Sequence, residues 1–160
     1  MVATRMKLFL AVLVIFFLSA VPVLAKDMTK TELQEMYMDY LKSEGYTPSL
    51  DSDGDVRFKY EGGTFIIFVN EEDQEFFDML HMGFWEIESE KEKNLALLAA
   101  KEATRKTKVA KVYLWEKNTN VSVSAEMFLQ TPSDFKLHLR RLLSMMMNAK
   151  KTFIEIMKSN

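Results

Sequence analysis

Residues 56–69, VRFKYEGGTFIIFV, set two β-forming runs on either side of a Glu-Gly-Gly turn, the pattern of an antiparallel hairpin. The first run alternates apolar and polar residues, as a strand with one wet face does. The second is apolar from Phe65 to Val69 and asks for cover on both of its faces. The turn allows two assignments. A three-residue loop, Glu61 to Gly63, places Phe65 and Ile67 beside Arg57 and Lys59 on the outer face, and a two-residue loop places Ile66 and Phe68 there instead. Large apolar groups lie on both sides of the sheet in either case.

A second hairpin, VAKVYLWEKNTNVSVSAEMFLQ, follows at 109–130. A two-residue loop at Asn118 and Thr119 sets Leu114 opposite Val123, Val112 opposite Ala125 and Ala110 opposite Met127, giving one wholly apolar face. The same register sets Lys111 opposite Glu126 and gathers Val109, Tyr113, Trp115, Ser122, Ser124 and Phe128 on the other face. Sliding by one residue buries serines against Val112 and Leu114, which disfavours that alternative.

Helices flank the hairpins. Thr29 and Glu32 form a capping box ahead of Leu33, Met36, Tyr37, Tyr40 and Leu41, and Gly45 supplies a left-handed stop. Ser89 and Glu92 form a second box, ahead of a stripe of Leu95, Leu98, Ala99 and Ala103. Thr131 and Pro132 open a third helix, along which Phe135, Leu139, Leu142, Met146, Ala149, Phe153 and Ile156 recur. Leu143, Met145, Met147, Ile154 and Met157 widen that stripe, so this helix has two surfaces to touch. Tyr46 to Leu50 reads as a short edge strand broken by Pro48. Between the first hairpin and the second capping box, Phe76, Phe77 and Leu80 suggest one or two helical turns before a short extended GFWEI. The expected class is α+β, with an antiparallel sheet of about five strands and three main helices.

The first 25 residues stand apart from this domain. Arg5 and Lys7 precede the apolar run LFLAVLVIFFLSAVPVLA, and Val23 and Ala25 have the spacing a signal peptidase needs before Lys26. Residues 1–25 read as an export signal and 26–160 as the working domain. An uncleaved anchor helix is the alternative, because the run just reaches the ~18 residues of a membrane span. Removing the leader takes two of the 21 basic residues, leaving 19 against 23 acidic, an acidic balance that argues against nucleic acid as partner. There is no cysteine, hence no disulfide, thiol nucleophile or thiolate metal site, and stability rests on the core. The expected location is the periplasm or the exterior, with no membrane attachment after cleavage.

Chemistry is sparse. DSDGD at 51–55 begins like a calcium loop, but the sixth position from Asp51 is Val56 and the twelfth is Gly62, where such a loop needs Gly and a bidentate Glu. It reads as a turn. His81 has no second His or Cys at ligand spacing, and His138 sits among Lys136, Arg140 and Arg141 as a surface residue would. No nucleophile elbow, phosphate loop or dinucleotide fingerprint occurs. The expectation is a chain with no enzymatic activity, no metal and no cofactor.

DGDVRFKYEGGTFIIFVNEEDQEFF, FWEIESEKEKNLALLAAKEATRKTKVAKVYL and SAEMFLQTPSDFKLHLRRLL together resemble the bacterial YbjN-type domain, a relative of the type III secretion chaperone-like fold. The resemblance covers most of residues 29–147. It implies an α-β-β-β-α-β-β-α domain that is not an enzyme, recognises other proteins and often works as a dimer. The export signal departs from the cytoplasmic chaperones of that fold. A face with this much apolar area needs a cover, either the last helix or a protein partner or second copy; a small apolar ligand or lipid between sheet and helix is the third option. The residues expected to meet a partner are Tyr113, Trp115, Phe128, Phe65 and Ile67.

Overall fold

The computed structural model describes residues 27–114 and 119–159. Residues 1–25, read above as an export signal, and Trp115 lie outside the described residues. The described chain runs α1 (Lys30–Ser43), β1 (Ser49–Leu50), β2 (Val56–Tyr60), β3 (Gly63–Ile67), β4 (Phe76–Glu86), α2 (Glu90–Lys106), β5 (Ala110–Leu114), β6 (Asn120–Phe128), a 3₁₀ turn (Pro132–Asp134) and α3 (Phe135–Lys158). The class is α+β, as expected, and the six strands form one antiparallel sheet in the order β1-β2-β3-β4-β6-β5. Among the described residues no helix is long and apolar enough to cross a membrane.

Local signals are realised closely. Thr29 and Glu32 complete the first capping box, and Gly45 takes φ 89° after the helix. Ser89 accepts from the amide of Glu92, but the Glu92 carboxylate turns away from the cap to take the Glu88 amide at 2.7 Å and the Trp85 indole N–H at 2.8 Å. Asp51 accepts from the amides of Asp53 and Asp55, and Asp55 from that of Val69, so these carboxylates tie the turn to the segment just after β3.

Four readings are corrected. Residues 76–80 are not helical turns but the start of β4, an 11-residue strand at the centre of the sheet. Its ambiguity arises because both faces carry large apolar residues, Phe76, Leu80 and Met82 on one and Phe77 and Met79 on the other, which blurs the two-residue period. The β5–β6 register is displaced by two residues, with Leu114 opposite Val121 and Val112 opposite Val123. A shift of two keeps every side chain on its face. The Lys111–Glu126 ion pair also survives, reached diagonally past Ser124. In α2 the core stripe is Ala96, Ala99, Ala100 and Ala103, with Leu98 exposed and Leu95 half-buried. Alanines let α2 lie close against α3 and β5, where leucines would hold it away.

The fourth correction concerns the first hairpin. Tyr60 pairs with Gly63, so the loop is the two-residue Glu61–Gly62, with φ 44° and 76°. Phe65 and Ile67 therefore point into the core, where neither has any exposure. They are not on the outer face.

The three described helices pack on one side of the sheet. Their buried residues join Val56, Phe58, Phe65, Ile67, Phe77, Met79, Val112, Val121, Val123 and Ala125 in a single hydrophobic core. Phe135 at the head of α3 meets Tyr37 edge-on at 4.8 Å and stacks on Phe77 at 5.8 Å, locking α1 and α3 to β4. The wide apolar stripe of α3 is accounted for by this double duty against the sheet and α2.

Candidate functional site: the sheet face opposite the helices

The registers define what lies on the other face. From β2 come Arg57 and Lys59, from β3 Thr64 and Ile66, from β4 Phe76, Asp78, Leu80 and Met82. Lys111 and Tyr113 of β5 join Ser122, Ser124, Glu126 and Phe128 of β6. Ile66 and Leu80 are buried yet stand outside the core on which the helices pack. Phe128 is 78% exposed and holds its ring 5.4 Å from that of Phe76.

The centre of this face is polar and tightly coupled. Asp78 and Glu126 are direct partners across β4 and β6. Glu126 is bridged by Lys111 and accepts from the Ser124 hydroxyl at 3.2 Å. One oxygen of Asp78 is buried without a hydrogen-bond partner among the described residues. Burial, reinforced by the charge of Glu126 and opposed by Lys111, pushes the Asp78 carboxyl up to about 6. The Tyr113 phenol is raised too, by burial first and then by these two acids. The arrangement is an aromatic ledge beside a carboxyl whose charge changes between mildly acid and neutral pH.

Of the residues expected to meet a partner, Tyr113 and Phe128 lie on this face, away from α3. Phe65 and Ile67 lie beneath the helices, and Trp115 is outside the described residues. Sequence reasoning missed Asp78, Leu80 and Phe76 as members. The signal was present in FFDMLHM, where Phe76, Asp78, Leu80 and Met82 alternate with Phe77, Met79 and His81. At the far end of the face, Gly83 at φ 51° breaks the β4–β6 register and donates its amide to Ser122. A groove of about 410 Å³ opens there between Thr64, Met82, Gly83 and Asn120.

His81 belongs to the opposite side. It is 1% exposed, stacks on Phe65 at 4.4 Å, and has its Nε2 3.2 Å from the Lys150 ammonium of α3. Burial and then that ammonium hold its pKa down to about 4, so the ring is neutral at pH 7 and Nε2 accepts from Lys150.

No family model matches the chain, and no curated protein does. Among solved structures, the chain is similar to an uncharacterized protein from Methanothermobacter thermautotrophicus, with a TM-score of 0.50 and 16% identity over 79% of this chain and 95% of that one. At that identity the likeness is one of fold.

Proposed function

We propose that this chain is an exported, non-enzymatic protein-binding domain, chaperone-like or regulatory, that engages a protein partner through the sheet face opposite its helices, foremost a second copy of itself. The observation that carries the reading is Phe128, 78% exposed against Phe76 on a face to which none of the described helices contributes its buried residues. An exposed aromatic pair of this kind suits the apolar part of an interface. The face is also self-complementary in charge. Arg57 and Lys59 are exposed on β2, and Asp78 and Glu126 sit on β4 and β6, so a two-fold operator can set the basic strip of one copy over the acidic pair of the other. The resemblance to YbjN-type domains supports the same reading, and the leader supports a periplasmic or secreted location. The reading requires no cofactor or metal.

The test is the mass of the exported form in solution across a concentration series, for the parent and for Phe128→Ser. Self-association weakened at least about tenfold by the substitution, at unchanged thermal stability, is the expected result. A protein that stays monomeric throughout and yields no crosslinked partner from the exported fraction would defeat the proposal, as would a dimer indifferent to Phe128.

A further inference from the structure

On the helix side of the sheet, a cleft of about 240 Å³ lies where α3 crosses the β5–β6 edge. Its wall is one face of α3, on which His138, Arg141, Leu142 and Met145 follow at spacings of three, four and seven. Met127 of β6 lines the cleft, and Lys108 and Val109 close it from the loop between α2 and β5. The composition is two-sided. Met127, Leu142 and Met145 offer an apolar lining, and Lys108, His138 and Arg141 bring basic groups to it. None of these three basic residues has an ion-pair partner among the described residues. In a chain with more acidic than basic residues, the Lys108 and Arg141 charges beside an apolar cleft are not explained by overall charge.

Val109 adds an independent observation. Its φ is 70°, in the left-handed region that a β-branched side chain avoids, and it is 45% exposed, so the core does not impose the conformation. The strained residue is one that lines the cleft, and strain held at the surface is characteristic of binding positions.

We propose that this cleft binds a small amphiphilic anion of the class of a medium-chain aliphatic carboxylate. Lys108 and Arg141 take the carboxylate by charge-assisted hydrogen bonds, and the methionines, whose flexible thioethers adapt to a chain of varying shape, take the tail. The volume is below the roughly 300–1,000 Å³ of clefts that hold drug-sized molecules and suits a ligand of about ten heavy atoms. This site is distinct from the partner face, since Met127 points to the helices while Phe128 points away.

The experiment titrates the full protein with octanoate while following the methionine methyl groups by ¹³C NMR, alongside acetate and octanol as the head and the tail alone. The expected result is saturable shifts at Met127 and Met145 with octanoate, absent with acetate and at least about tenfold weaker with octanol. The double variant Lys108→Gln/Arg141→Gln, altered only at exposed side chains, is expected to weaken octanoate at least about tenfold while its spectrum stays folded. No saturable shift, octanol as good as octanoate, or a double variant that binds octanoate unchanged would each overturn the proposal. Loss of self-association in Phe128→Ser bears only on the sheet face and leaves this outcome untouched.

Discussion

Asp78 and Glu126 are directly opposed across β4 and β6, two carboxylates side by side on one sheet face, with Lys111 bonded to Glu126 and one oxygen of Asp78 reached by no hydrogen bond among the described residues. Like charges in register repel, and burial adds to the cost of ionising both. The pair is therefore a local weakness of the fold at neutral pH, placed where a partner is proposed to bind.

Asp78→Asn is expected to stabilise the domain above pH 7 by about 1–3 kcal/mol, because the folded-state carboxyl titrates near 6 and the unfolded one near 3.8. A raised acid pKa contributes stability that is full below 3.8 and is lost as pH rises through 6. The gain from the substitution should accordingly vanish toward pH 4. Urea unfolding of both proteins at pH 4, 6 and 7.5 checks this, and an equal difference at all three would count against it.

His81 should act in the opposite sense. Its folded pKa, about 4, lies below the ordinary 6.5, so the folded state excludes a proton that the unfolded chain accepts. Stability from this group is complete above 6.5 and is lost as pH falls toward 4. In Asp78→Asn, where the opposing carboxyl is gone, unfolding free energy should drop by about 2–3 kcal/mol between pH 6.5 and 4. An NMR titration placing the His81 ring near its ordinary pKa would contradict both the burial and the Lys150 contact.

Gly63→Ala should destabilise the domain by about 1–3 kcal/mol, the usual cost of overpacking. A Cβ at Gly63 would fall 2.5 Å from Cε1 and 2.8 Å from Nε2 of His81. The ring would have to leave Phe65 or release Lys150. Gly62→Ala, with open space around its Cβ position but φ 76°, should lose less through contact and only the backbone penalty. Thermal unfolding of the two variants separates the effects.

Val109→Asn should raise stability by up to about 1 kcal/mol, since Asn tolerates the left-handed region that strains valine, and little burial is lost from a side chain 45% exposed. The same variant should not raise octanoate affinity. A destabilised Val109→Asn would show that the valine packing outweighs its backbone strain.

How much of this was legible in the sequence depends on the range over which each feature is decided. Helix starts at Thr29 and Ser89, the stop at Gly45 and the two faces of the second hairpin follow from residues a few positions apart, and all were readable. The chain alone thus determined the α+β class, the antiparallel hairpins and the bulk of α3, because capping, left-handed glycines and apolar period are local properties. Tertiary contacts decided the rest. Apolar residues on both faces hid β4, close approach to α3 selected alanines over leucines in α2, and Glu-Gly-Gly could serve either loop until the His81 ring, 18 positions downstream, required Gly63 inside the strand. With that register Phe65 and Ile67 entered the core, and the face left opposite the helices took its chemistry from Asp78, Glu126 and Phe128, brought together only when β4 paired with β6.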